Sequence, residues 1–157
     1  MILSRRILAA SLLFFTLSAY AIDKKLMDGS DKIEPTPAAT EFISKYTHAI
    51  NAKSTSEYVA LLEPASRACY MNSKHPEYYR TEISQWFEFT VQSLSELRKI
   101  KPSYDLSFYK MMNYPKAPTH VVILRGEAKM KSGVGAGFLS AEMIEEDGRF
   151  YLAYRCM

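Results

Sequence analysis

The sequence predicts an α+β domain in which N-terminal helices pack on a curved, four-stranded antiparallel meander sheet. Three observations carry this expectation. Apolar residues recur at helical spacing through the first part of the domain, the period changes to alternation at Ser103, and the run LSAEMIEEDGRFYLAYRC, residues 139–156, has the pattern of a β-hairpin. In that run Asp147-Gly148 is a two-residue turn, with positive φ at both positions matching the twist of the flanking strands. The implied register sets Glu145 by Phe150, Met143 by Leu152, Ala141 by Tyr154 and Leu139 by Cys156. One face is then largely apolar and the other, with Glu142, Ile144, Tyr151 and Arg155, is mixed, as in a sheet with one side on a core.

The chain opens with a positive MILSRR, an apolar stretch at residues 7–17 and Ala19-Tyr20-Ala21, the three parts of a secretory signal peptide in order. Cleavage after Ala21 is expected. The apolar stretch is shorter than the ~20 residues of a membrane span, and no cysteine follows the cut, so neither a stable membrane anchor nor a lipid anchor is implied. An uncleaved anchor helix is the alternative. Removing 21 of 157 residues leaves 136, enough for one domain and too few for two. Loss of Arg5 and Arg6 takes the Lys and Arg total from 20 to 18 against 17 Asp and Glu, a net charge of +1. Without a concentrated basic stripe, no nucleic-acid partner is expected. The charged stretch at residues 22–35 has no sustained period and reads as a flexible lead-in to a domain at residues 36–157.

Thr36 as cap and Pro37 at the first helical position start a helix to Asn51, with Ala38, Phe42, Tyr46 and Ala49 in one stripe. Ser54-Thr55-Ser56-Glu57 is a capping box, opening a short helix at residues 55–62 that Pro64 stops. Residues 65–73 have room for another helical turn. His75-Pro76-Glu77 then opens a long helix to about Ile100, burying Tyr79, Ile83, Trp86, Phe87, Thr90, Leu94 and Leu97, and Pro102 ends it. Strands are expected at residues 103–112 and 119–130, joined by the turn residues NYPKAP, and the glycine-rich SGVGAG leads as a flexible loop into the final hairpin.

Three stretches together resemble a known family. A first helix ending Tyr46-Thr-His-Ala-Ile-Asn51, a capped short helix ending Leu61-Leu62-Glu63-Pro64, and the strand pair Glu145-Glu-Asp-Gly-Arg-Phe150-Tyr-Leu-Ala-Tyr154 look like the nuclear-transport-factor-2-like superfamily. The resemblance implies a sheet wrapped on helices around a cone-shaped pocket. Its members include isomerases, dehydratases, small-molecule binders and protein-interaction modules, and the fold does not select among them. A long third helix would depart from many members, so no family position is carried over within residues 65–101.

The residues expected to line such a pocket for a ligand are Tyr79, Trp86, Tyr109 and His120, with Trp86 open between packing and lining. Asp105 and Tyr109 fit only loosely the base and oxyanion donor of an isomerase. With a first hairpin turning near Pro115, Asp105 falls opposite Arg125, and an exposed cross-strand ion pair explains it better. His48, His75 and His120 lack metal-ligand spacing, the methionines read as core filler, and the Gly133–Gly137 loop precedes no helix N-terminus, so neither metal nor cofactor is expected.

In an oxidising compartment Cys69 and Cys156 are expected to pair; two buried thiols are the alternative. The expected protein is thus periplasmic or secreted. It binds a small apolar ligand or a protein partner without catalysis, and its sheet face is open to a second copy. The alternative is a small pocket enzyme of isomerase or dehydratase type, with Asp105 or His120 as base.

Overall fold

In a computed structural model describing residues 24–130 and 132–157, the chain alternates short and long elements before its sheet closes. They are α1 (Lys24–Asp28), β1 (Ser30–Ile33), α2 (Pro37–Asn51), α3 (Thr55–Ala60), α4 (Pro64–Asn72) and α5 (Pro76–Trp86). β2 (Phe89–Ile100), α6 (Ser107–Met111), β3 (His120–Met130), β4 (Gly133–Glu146) and β5 (Arg149–Leu152) follow. The sheet is antiparallel in the order β1-β2-β3-β4-β5, so every strand lies beside its sequence neighbour. The α+β class and the meander hold, with five strands in place of four. The expected signal peptide, residues 1–21, lies outside the described residues.

Helix starts follow local chemistry. Ala39 N–H donates to Thr36 Oγ1 (3.2 Å) at the start of α2, and Glu57 N–H to Ser54 Oγ (3.3 Å) at α3. The return arm of the capping box is absent: the Glu57 carboxylate sits 3.5 Å from His48 Nε2 instead. α4 occupies the stretch where only a further turn was expected, and its cap is the Glu63 side chain, which accepts from Ser66 N–H (3.0 Å).

Four expectations are corrected. The stretch read as a flexible lead-in carries α1 and β1, and Arg98 secures both, donating from its guanidinium to Met27 O (3.0 Å), Ser30 O (2.7 Å) and Ser30 Oγ (3.0 Å). The long third helix stops at Trp86. Residues 89–100 form β2, where Phe89, Val91 and Leu97 are buried while two bulges, at 91–93 and 94–96, break the strict alternation that would have identified a strand. Thr90 and Leu94, expected in the core, are exposed there. Residues 103–112 are a turn and α6, with Asp105 Oδ1 accepting from Ser107 N–H (2.9 Å), so the residue opposite Arg125 is Ser93 and not Asp105. The SGVGAG loop is β4 from Gly133 on, paired residue for residue with β3.

The final hairpin has the expected turn, with φ 51° at Asp147 and 74° at Gly148, and the expected pairs Glu145 with Phe150 and Met143 with Leu152. The two further pairs do not form. β5 ends at Leu152, after which Ala153 N–H donates to Glu142 O (3.0 Å) and Cys156 N–H to Asn113 O (2.9 Å).

The helices cover one face of the sheet. Phe42, Tyr46, Tyr58, Tyr79, Phe87 and Tyr154 pack there against Phe89, Leu97, Val122, Leu124, Leu139, Met143 and Leu152. On the opposite face α1 and the loop after β2 bring Leu26, Tyr104 and Leu106 over Ile100, Val121 and Ile123. Two backbone approaches need particular residues. A Cβ at Gly126 would stand 2.0 Å from Thr90 O, so only glycine lets β2 and β3 meet at the bulge. Asn51 ends α2 against the edge of β2, where its Nδ2 donates to Val91 O (3.0 Å) and its Oδ1 accepts from Val91 N–H (2.8 Å), occupying backbone groups that β1 is too short to reach.

Cys69 in α4 and Cys156 form the expected disulfide, with Cα atoms 5.4 Å apart across a sequence separation of 87. Closing a loop of that length removes chain entropy worth roughly 4 to 5 kcal/mol before native strain is subtracted. The oxidised protein is therefore expected to melt well above the reduced one, with Cys69→Ser and Cys156→Ser each abolishing the difference. Equal melting temperatures with and without reductant would contradict this.

Candidate functional site

The space between helices and sheet, where a cone-shaped pocket was expected, is occupied by rings. Tyr46 packs on Tyr58 (5.9 Å between centroids), Tyr58 on Tyr154 (6.4 Å), Tyr154 on Tyr79 (6.2 Å) and Tyr79 on Tyr70 (5.5 Å). Tyr79 is fully buried, and its hydroxyl accepts from Met157 N–H (2.6 Å) and donates to Met157 O (3.3 Å), so it anchors the chain's last residue. Trp86 is half-buried at the end of α5 and packs on the main core. Tyr109, on α6, stands edge-on to Tyr114 (5.1 Å).

His120 is buried at the start of β3, edge-on to Phe150 (5.3 Å), with Nδ1 2.8 Å from Thr119 Oγ1 and Nε2 3.7 Å from Glu145 Oε2. These four have different neighbours, and none lines the described grooves. Asp105 is exposed as the cap of α6, and the Ser107 amide and hydroxyl hold its carboxyl below the usual range, which suits a cap and not a base. Among the described residues no group of three His, Cys, Asp or Glu side chains is placed to hold a metal ion.

The concave surface is on the outside, along α2. Two adjoining hollows of about 580 and 450 Å³ share Lys45, Ala60 and Leu61 and run from α3 to the β4–β5 turn. The deeper wall is apolar, from Phe42, Leu61 and Phe150. The rim is charged, with Glu41 2.6 Å from Lys45, the His48–Glu57 pair, and Arg149 from the hairpin. Helical spacing explains the rim: positions 41, 45 and 48 recur on the face of α2 opposite its buried stripe. On the far side of α3 a third hollow, about 470 Å³, is lined by Val59, Ala60, Arg67, Tyr70 and Met71, with Met71 69% exposed. Ala60 borders all three. Sequence reasoning missed this surface because charges on an outward helix face look like ordinary solvated residues. The available signal was a small residue at 60, beside two leucines, on a short helix flanked by two others.

A second cluster gathers where the chain ends. Glu63 is buried, and although burial opposes its ionisation, the amides of Ser66 and Ala65 and the Lys116 ammonium (3.4 Å) hold its carboxyl below the usual range. Ser66 Oγ donates to Tyr154 O (2.7 Å), and Arg155 Nη2 to Glu82 Oε2 (3.1 Å). The buried Tyr154 hydroxyl and Arg155 Nε make no hydrogen bond. Burial, then the Glu82 charge, pushes the Tyr154 phenol far above its ordinary range, and Tyr114 is raised by burial and Glu142.

No protein-family model matches this chain, and no curated protein is similar to it in sequence.

Burial depresses the His120 pKa, the Glu145 charge only partly opposing it and Lys99 adding to it. The neutral ring is the folded-state form, so the stability it contributes is present above the unfolded value of about 6.5 and is lost as pH falls through the lower folded value. In a proton NMR titration the His120 ring is expected to titrate below 6.5, with stability falling as the solution is acidified from pH 7. A midpoint above 6.5 would show that Glu145 dominates burial.

Proposed function

We propose that this chain is an exported, non-catalytic interaction domain of the nuclear-transport-factor-2-like type that holds a segment of a protein partner along α2. The observation that carries the reading is the groove over Ala60 and Leu61, whose apolar wall and paired charges resemble the anatomy of an interface: a hydrophobic centre within a polar rim. Support for export comes from the disulfide, a bond that persists in oxidising compartments, together with the signal-like N-terminus. Rings fill the interior beneath the helices, which favours an external surface over an internal pocket for the partner. The open part of the sheet's outer face, around Arg125, Glu127, Lys129 and Phe138, is the competing surface, through which two copies would meet.

A photo-crosslinking side chain at Ser44 is expected to give a discrete adduct in the producing cell, and the same group at Lys129 none. Ala60→Arg should remove the adduct by filling the groove, at a stability cost of a few tenths of a kcal/mol on an exposed helical position. Adduct formation from Lys129 in place of Ser44, or an adduct that survives Ala60→Arg, would overturn the reading.

A further inference from the structure

Residues 153–157 follow β5 without joining a helix or strand, yet they carry one of the most enclosed rings in the protein. Tyr154 is 7% exposed, edge-on to Tyr58 at 83° and tilted against Tyr79 at 32°. Its hydroxyl is buried with no hydrogen-bond partner. A buried hydroxyl left unpaired is costly, and native proteins rarely leave one so without a reason. A phenol ring seated by aromatic contacts, on backbone that belongs to no ladder, has the setting of a bound ligand that happens to be joined to the chain. Its backbone is fastened at the edges: Ser66 Oγ to Tyr154 O, Cys156 N–H to Asn113 O, Arg155 to Glu82, the Tyr79 hydroxyl to Met157, and the Cys69–Cys156 bond.

We propose that Tyr154 is the tethered occupant of a site for phenolic small molecules, closed while Cys69 and Cys156 are bonded and opened when a dithiol reduces them. The remaining fastenings are single hydrogen bonds and one partly exposed ion pair, each individually weak beside a bridge that closes a long loop. Both cysteines are half-buried, within reach of a small dithiol. In the exchange the Cys69–Cys156 S–S bond breaks and two thiols form; the dithiol loses two electrons and two protons and becomes a disulfide. Withdrawal of Tyr154 leaves a hollow walled by Tyr58 and Tyr79. There an incoming phenol meets the same rings, with Glu82 nearby as an acceptor that a free ligand can turn to reach. This site is separate from the α2 groove and does not rest on the interaction reading.

The test uses the processed full chain and p-cresol, the free counterpart of the tyrosine side chain, with binding read by calorimetry and by the shift of the melting temperature. Oxidised wild-type protein is expected to bind p-cresol at least about tenfold more weakly than reduced wild-type, because only the open fraction is competent. Oxidised Tyr154→Ala, and the Cys69→Ser/Cys156→Ser pair without reductant, should both bind as the reduced protein does and melt higher with p-cresol present. Equal binding by oxidised and reduced wild-type would overturn the gate, as would binding by Tyr154→Ala without binding by the reduced protein. Folded Tyr154→Ala that ignores p-cresol would overturn the site itself. Should Tyr154→Ala fail to fold, the double serine variant decides: no response to p-cresol there overturns the proposal.

Discussion

The structure depends on a seam of three residues. Between α3 and α4 the chain passes alongside β5 in parallel, Leu152 N–H donating to Leu61 O (2.8 Å) and Glu63 N–H to Leu152 O (2.9 Å), with Leu62 fully buried between them. Without it β5 would be a bare edge of four residues and the helices would meet the sheet through side chains alone. The seam also sets what comes next. It delivers Glu63 to the start of α4, Ser66 to the carbonyl of Tyr154, and Cys69 to Cys156, so three successive turns of one stretch of chain each hold a different point of the last strand and its extension.

The electrostatics of the seam follow from that placement. A carboxylate as buried as Glu63 is tolerable only where donors converge, and the first turn of α4 supplies them as unpaired helix amides. Lys116 then joins Glu63 to Glu146 (2.7 Å), reaching from the loop before β3 to the end of β4. Because the carboxyl is held below its unfolded value, its contribution is present above that value and disappears as pH falls through the folded one. Acid therefore acts first on the joint between helices and hairpin. The α2 groove is bounded by the same joint, since Ala60 and Leu61 lie immediately before it and Phe150 within β5. The rigidity of the seam is what gives that surface a fixed shape.

Much of this was legible from local chemistry. Thr36-Pro37, Ser54, Pro64 and Pro76 mark helix starts with residues whose physics is short-ranged, and Asp147-Gly148 fixes a turn whose register carries four residues into each strand before the ladder ends. What was not legible depends on distant partners. Residues 89–100 become a strand because β3 lies beside them, and the two bulges erase the alternation while Leu94 and Leu97 keep a spacing that also fits a helix. Gly133 to Gly137 look like a loop until the glycines are seen paired with β3. Nothing near Lys24 announces α1 or β1, because the residue that secures them is Arg98, almost seventy positions on. The pairing of Cys69 with Cys156 was readable from cysteine count and compartment; that Tyr154 fills the space under the helices was not, since an aromatic in a strand pattern carries no sign of which cavity it enters. The groove was equally silent, being a property of three helices and a turn.

Amide hydrogen exchange on the oxidised protein tests the seam most directly. If residues 61–63 and Leu152 are as firmly joined as the centre of the sheet, the Glu63 and Leu152 amides should exchange only through global unfolding, with the same free energy as Val122 in the middle of β3. Exchange at Glu63 and Leu152 a hundredfold or more faster than at Val122, about 2.7 kcal/mol less protection, would show that the helices and the hairpin part before the protein unfolds and that the fold is held elsewhere.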